Sequence, residues 1–238
     1  YALGHRAVAD IFKSPVLIQE KIDGSQYSMG MYVLPEVPHG GVEVGSWYEV
    51  DGRSGPLVFL CRSKGATIQS LAPDKMFAPA VAVGRALAED GRLITGATYR
   101  AEFLGRPKHN SLAYDRIPLN HLILFDVDLG NQDYMTPDNL HAEANRLGLV
   151  AVPARRLGMI ENISEVRDLL NTVSVLGGQK IEGIVSKNYS LYGPDQKTLM
   201  SKFVSEAFKE GHAAEWKTSN PSGGDIIDRL ILQHRSPA

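Results

Sequence analysis

The chain has a single cysteine, Cys61, among its 238 residues. An internal disulfide is therefore excluded, and no Cys/His spacing fits a structural zinc site. One thiol and scattered histidines fit a reducing, cytoplasmic setting. There is no signal-peptide pattern and no apolar run near the length of a membrane span, so no membrane contact is expected. There is also no basic surplus. With 25 Lys and Arg against 27 Asp and Glu, the net charge is −2, and any polynucleotide contact must come from a local patch. Internal repeats and low-complexity tracts are missing too. Residue 1 is Tyr rather than Met, which reads as a chain that is processed, trimmed or part of something longer.

The composition that remains is that of a folded domain, 43% hydrophobic and 22% charged. The length allows one large domain, or one with a small appendage. Residues 16–22 read as a strand ending at the Asp23-Gly24 turn signal, with 27–33 expected to pair back on it as a hairpin. Residues 35–56, rich in Gly and Pro, read as an exposed excursion before a strand over 57–62. Helices are expected over 75–89, with Pro79 disturbing the first turn, and over 137–147, with Asp138 and Asn139 near its start and Gly148 after it. A further helix is expected over 163–170, capped by Asn162 or Ser164, and another over 205–215 with Glu206 in its first turn. Strands are expected over 97–104, 121–127, 184–187 and 199–204. Ser219 to Gly224 reads as a linker, followed by a short helical pattern over 225–233. Strands and helices do not alternate strictly, so the expectation is an α+β fold of antiparallel sheets flanked by helices.

Chemistry concentrates first in Glu20-Lys21-Ile22-Asp23-Gly24. A lysine closes an apolar strand just before an Asp-Gly turn. Side-chain alternation places Lys21 and Asp23 on one face and Ile22 on the other. A lysine that enters a cleft beside a carboxylate is a candidate covalent nucleophile, provided its amine can shed its proton. On the pentapeptide alone, a lysine at the edge of a common hairpin turn is the more ordinary reading.

Four more segments follow in order: Tyr99-Arg100-Ala101-Glu102-Phe103-Leu104-Gly105, then Leu124-Phe125-Asp126-Val127, Glu182-Gly183-Ile184-Val185-Ser186-Lys187, and Met200-Ser201-Lys202-Phe203-Val204. Together with Lys21-Ile22-Asp23-Gly24 they resemble the motifs of the covalent nucleotidyltransferases, which comprise RNA ligases, ATP-dependent DNA ligases and mRNA capping enzymes. The resemblance spans about residues 15–210. Arg62-Ser63-Lys64-Gly65 and the run Gly105-Arg106-Pro107-Lys108-His109-Asn110 are similar to elements of the RNA ligase 2 type. One position departs from the pattern. The fifth motif usually holds two lysines separated by one residue, and here Met200 stands at the first.

The resemblance implies an ATP-grasp-like nucleotidyltransferase fold over 1–218 with a central nucleotide cleft, and a linker and the start of a further domain over 219–238. It implies that Lys21 attacks ATP to form lysyl-AMP, that AMP passes to an RNA 5′-phosphate, and that a 3′-OH then seals the strand. Lys187 and Lys202 would hold the α-phosphate. Asp23, Glu102 and Glu182 would bind Mg2+ or Mn2+. Phe125 would stack on adenine against Val185, the backbone of Glu20 would meet the adenine edge, and Arg62 and Gln26 would reach ribose or phosphate. Without that context Phe125 reads as a core aromatic, and the lysines as solvated strand residues. Arg106, Lys108, His109 and Arg116 form the densest basic cluster and are the candidate RNA contacts. The expected form is a monomer that adenylylates itself but seals poorly. The alternatives are a DNA ligase, a capping nucleotidyltransferase, or a non-catalytic ATP- or RNA-binding module of the same fold.

Overall fold

In the computed structural model, residues 10–205 and 208–209 are described. Two sheets organise them. The smaller has four antiparallel strands in the order β11-β10-β1-β9, formed by Thr198–Val204, Gly183–Tyr192, Val16–Lys21 and Ala154–Gly158. The larger has seven strands. Its main path runs β3 (Val42–Val50), β4 (Arg53–Ser63), β2 (Ser25–Val33), β6 (Thr98–Phe103), β7 (Leu122–Asp128) and β8 (Val150–Ala151), with β5 (Thr67–Ile68) paired to β4. Pairing is antiparallel throughout except between β7 and β8. Among the described residues no helix is long and apolar enough to cross a membrane.

The hairpin expected between 16–22 and 27–33 does not form. β1 pairs with β10 and β9, whereas β2 pairs with β4 and β6, so the chain crosses from one sheet to the other at Ile22-Asp23-Gly24. Gly24 is needed for this passage because of space, not turn geometry. A Cβ there would lie 2.7 Å from both Glu102 Cγ and the Phe103 carbonyl oxygen. The crossing also explains why β1 is buried on both faces: one packs on a core and the other closes a cleft.

Three apolar clusters follow from this layout. Helix α1 (Ala78–Glu89) and helix α2 (Pro137–Leu147) cover the large sheet over Tyr27, Phe59, Tyr99, Leu122 and Leu124. The contact at α1 is close, since a Cβ on Gly84 would meet Met29, Phe59 and Tyr27 atoms at 2.9 Å. Helix α3 (Ile163–Leu169) covers the small sheet, with Val166 packed near Ile18, Ile184 and Phe203. Ile22, Leu104, Tyr114, Ile123, Val152 and Leu176 form the third cluster, which joins the two sheets.

Several expected boundaries move. Helix α1 begins at Ala78 rather than 75, with Pro79 in the first turn, where its missing N–H costs no helical hydrogen bond. The excursion over 35–56 contains β3 and the start of β4. This edge strand is held by backbone pairing rather than burial, so it carries no strong apolar alternation. Helix α2 keeps its expected bounds, with Thr136 as its cap and Asp138 in its first turn. The helix expected over 205–215 falls largely outside the described residues, and the segments over 219–233 fall wholly outside.

Asn162 is the cap of α3. Its Oδ1 accepts from the Ser164 N–H at 2.9 Å, and Glu165 Oε1 accepts from the Asn162 N–H at 3.0 Å. Asn162→Ala is expected to lower stability by about 1 kcal/mol in urea unfolding, with the m-value unchanged.

Candidate active site

Along β1 the side chains alternate between core and cleft. Ile18 joins the α3 cluster, and Glu20 turns away from the cleft into a buried polar pocket. The Glu20 carboxylate accepts from Arg155 at 2.7 Å, Ser174 Oγ at 2.5 Å and the Val175 N–H at 2.9 Å. Its side chain is thus fully committed, leaving its backbone to face the cleft. Gln19 and Lys21 occupy the opposite face of β1. Residues of both sheets line a single cleft of about 360 Å3 there, including Lys21 and Gln26, Phe125 and Lys187 from one flank to the other, and Val185 with Lys202.

Lys21 Nζ lies 2.6 Å from Glu182 Oε2, and the lysine side chain is 26% exposed. Glu182 also lines a second cavity of about 600 Å3 with Asp23, Asn110 and Ser111. The Lys21–Glu182 pair therefore stands between two cavities. Burial raises the Glu182 carboxyl above its usual range, against the pull of the Lys21 charge. Burial likewise pushes Glu102 from 4.5 up to about 7, with Lys21 opposing and the Glu182 and Asp23 charges adding. Because the folded value lies above the unfolded one, the folded chain holds this proton longer. Stability contributed by protonated Glu102 is present at low pH and lost as pH rises from about 4.5 through 7. Glu102→Gln is expected to flatten this part of the stability-versus-pH curve, read by denaturant midpoints at stepped pH.

Lys187 is almost fully buried. Its ammonium donates to the Phe125 carbonyl at 2.7 Å, lies 3.0 Å from Asp126 Oδ1, and sits 5.4 Å from the Phe125 ring centre. Burial pulls its pKa down and Asp126 opposes that shift. Its charge is thus largely balanced within the protein. Lys202 is solvent-exposed on β11 opposite Val185, and Met200 faces Lys187 across the same strand pair.

Asp23 is positioned differently from a metal ligand in waiting. Its Oδ2 accepts from the backbone N–H groups of Ser111 and Leu112 at 2.8 and 2.7 Å, Asn110 approaches Oδ1 at 3.4 Å, and its own N–H donates to Tyr114 at 2.7 Å. It latches the loop after β6 to the crossing between the sheets. Among the described residues, no three His, Cys, Asp or Glu converge to hold a metal unaided.

The basic cluster separates. Arg106, Lys108 and Arg116 are exposed, and the Arg116 guanidinium donates to the Val175 carbonyl at 2.5 Å. His109 turns inward, accepting from the Gly105 N–H at Nδ1 (3.2 Å), so that the neutral ring carries its proton on Nε2, 2.9 Å from Ser25 Oγ. Arg62 is exposed and outside the cleft lining, which includes Lys64 instead. Sequence reasoning passed over Gln19, Arg155 and Tyr114, and quoted Lys64 and Asp126 within motifs without giving either a role. Strand alternation from Lys21 was enough to find Gln19, whereas Arg155 and Tyr114 are distant in sequence and carried no signal.

Comparison with known proteins bears on the fold and the family. The chain is similar in structure to the RNA ligase of Naegleria gruberi with pyrophosphate, at a TM-score of 0.57 and 16% identity, over 87% of this chain and 55% of that one. A lysine-to-alanine variant of that ligase with ATP and Mn aligns at 0.56 and 16% identity, over 86% and 53%. A glutamate-to-alanine variant with AMP and Mn aligns at 0.56 and 16%, over 87% and 55%. At this identity the likeness is one of fold, and the chain spans about half the length of those structures. No curated protein matches it. The sequence profile described as RNA ligase matches residues 14–204, most of the chain, and the chain therefore belongs to the RNA ligase family.

Proposed function

We propose that this chain is the nucleotidyltransferase part of an ATP-dependent RNA ligase, with Lys21 as the residue that accepts AMP. The observation that carries this reading is the Lys21 amine, held by Glu182 at the meeting point of two cavities, beside an apolar slot walled by Phe125 and Val185. ATP would seat its base in the slot and its α-phosphate near Lys21 and Lys202. Lys21 Nζ would form a bond to the α-phosphorus while the bond to the bridging oxygen breaks and pyrophosphate leaves. Glu182, at 2.6 Å, is placed to take the ammonium proton. The work is mostly positioning and electrostatics, as in other phosphoryl-group chemistry. ATP, AMP, pyrophosphate and manganese, as named for the Naegleria structures, are what such a step uses and releases.

A divalent cation fits the site only in hydrated form. Glu182 is a buried carboxyl and Glu102 a half-buried one, both of which a cation would favour in their charged form, whereas Asp23 Oδ2 is engaged by the loop. Glu102 and Glu182 would hold Mg2+ or Mn2+ with retained waters and phosphate oxygens, and the ion would offset phosphate charge. AMP would then pass from Lys21 to an RNA 5′-phosphate entering by the second cavity, and a 3′-OH would displace it. Exposed Arg106 and Lys108 are the proposed backbone contacts. We also propose that the nucleotidyltransferase unit extends to about residue 218 and acts as a monomer in the cytoplasm.

The test is incubation with ATP and Mg2+ or Mn2+, followed by intact mass measurement. One added AMP per chain is expected. A chain that neither gains AMP nor arrives carrying it defeats the reading. GTP in parallel separates a ligase from a capping enzyme, and nicked RNA against nicked DNA tests the strand preference.

A further inference from the structure

Gln19 is 1% exposed, and its Nε2 donates to the Val152 carbonyl at 2.9 Å. That bond sets the amide's orientation, because the reversed amide would place two carbonyl oxygens against each other. Its Oε1 is thereby aimed the other way, and it has no hydrogen-bond partner among the described residues. An amide oxygen buried without a donor is uncommon and costly, and it calls for a reason. Strand alternation supplies one. Gln19 shares its face of β1 with Lys21, and both line the cleft with Phe125, Val152 and Val185. The result is an apolar slot with one unmet acceptor at its floor, two residues from the amine that attacks.

Such a slot suits a flat ring that brings an N–H donor to its inner edge. Building on the nucleotidyltransferase reading, we infer that Gln19 Oε1 accepts a hydrogen bond from the exocyclic amine of adenine and so selects the base. Guanine and hypoxanthine carry a carbonyl oxygen at that ring position, which would set acceptor against acceptor. Unsubstituted purine would leave Oε1 unmet.

The test compares AMP with purine riboside 5′-monophosphate by calorimetry in the wild type, Gln19→Met and Gln19→Leu, alongside adduct formation from the matching triphosphates. The wild type is expected to prefer AMP about tenfold, the scale of one hydrogen bond. Either variant should cut that preference to below about twofold by weakening AMP alone, with purine riboside binding unchanged. Two substitutions allow for one that folds badly. A wild-type ratio near one overturns the inference without any variant. A preference that persists in the variants, with ATP still forming the adduct, overturns it and leaves the ligase reading standing. A Gln19-dependent preference without any adduct does the reverse: it supports the base contact and defeats the ligase reading.

Discussion

Lys21→Ala is expected to abolish the AMP adduct completely, because Lys21 is the amine that Glu182 holds at the meeting of the two cavities. Lys21→Arg should fail equally, although it keeps a cation beside Glu182. A guanidinium stays protonated and has no lone pair to attack phosphorus. The pair of variants separates nucleophile from electrostatic support, since only the second is conserved by arginine. AMP binding should survive both changes at reduced strength, because the slot formed by Phe125, Val185 and Gln19 is untouched. The measurement is intact mass after exposure to ATP, with calorimetry for AMP. An adduct of wild-type yield in either variant would place the nucleophile elsewhere.

Asp126→Ala is expected to cost about 3 kcal/mol of stability, at the lower end of what breaking a buried ion pair costs. Asp126 and Lys187 side chains are 6% and 2% exposed, so removing the carboxylate strands an ammonium away from water. The Phe125 carbonyl remains as one acceptor, which is why the lower end applies. Adding Lys187→Met should recover much of the loss, because an apolar pair of similar size leaves no unpaired charge. Tyr189→Phe, which removes one hydrogen bond to the Asp126 carboxylate, should cost only about 1 kcal/mol. Urea unfolding of the four proteins decides the matter. A single-mutant cost below about 1 kcal/mol would mean that Lys187 is not held as a buried cation. AMP binding should weaken in Asp126→Ala as well, since Lys187 ties the backbone of Phe125 to β10.

The strands carrying the chemistry were legible because each is short, apolar and bounded by turn residues. β6, β7 and β11 fall within a residue or so of their expected limits, and α2 at both ends. What failed was partner choice. Residues 16–22 and 27–33 look like a hairpin because sequence shows only that two strands flank an Asp-Gly pair. Nothing local states that β1 prefers β10, some 160 residues on, to β2. Strands β8 and β9 were missed for a related reason: they are short and, in β9, largely exposed, and their pairing is supplied by partners far along the chain.

The sequence by itself determined the chemical inventory: a lysine before an Asp-Gly crossing, two glutamates, an aromatic strand residue and the cations at 187 and 202. Local alternation and motif order suffice for that, since both are properties of neighbours. Only the tertiary structure decided how each charge is used. It brought Glu182 to Lys21, spent Asp23 on the loop N–H groups and gave Lys187 to Asp126. It also turned His109 inward and left Gln19 with an unmet oxygen in the cleft. The physical reason is that a buried charge or amide must find partners wherever the fold places them, and those partners lie 60 to 160 residues away.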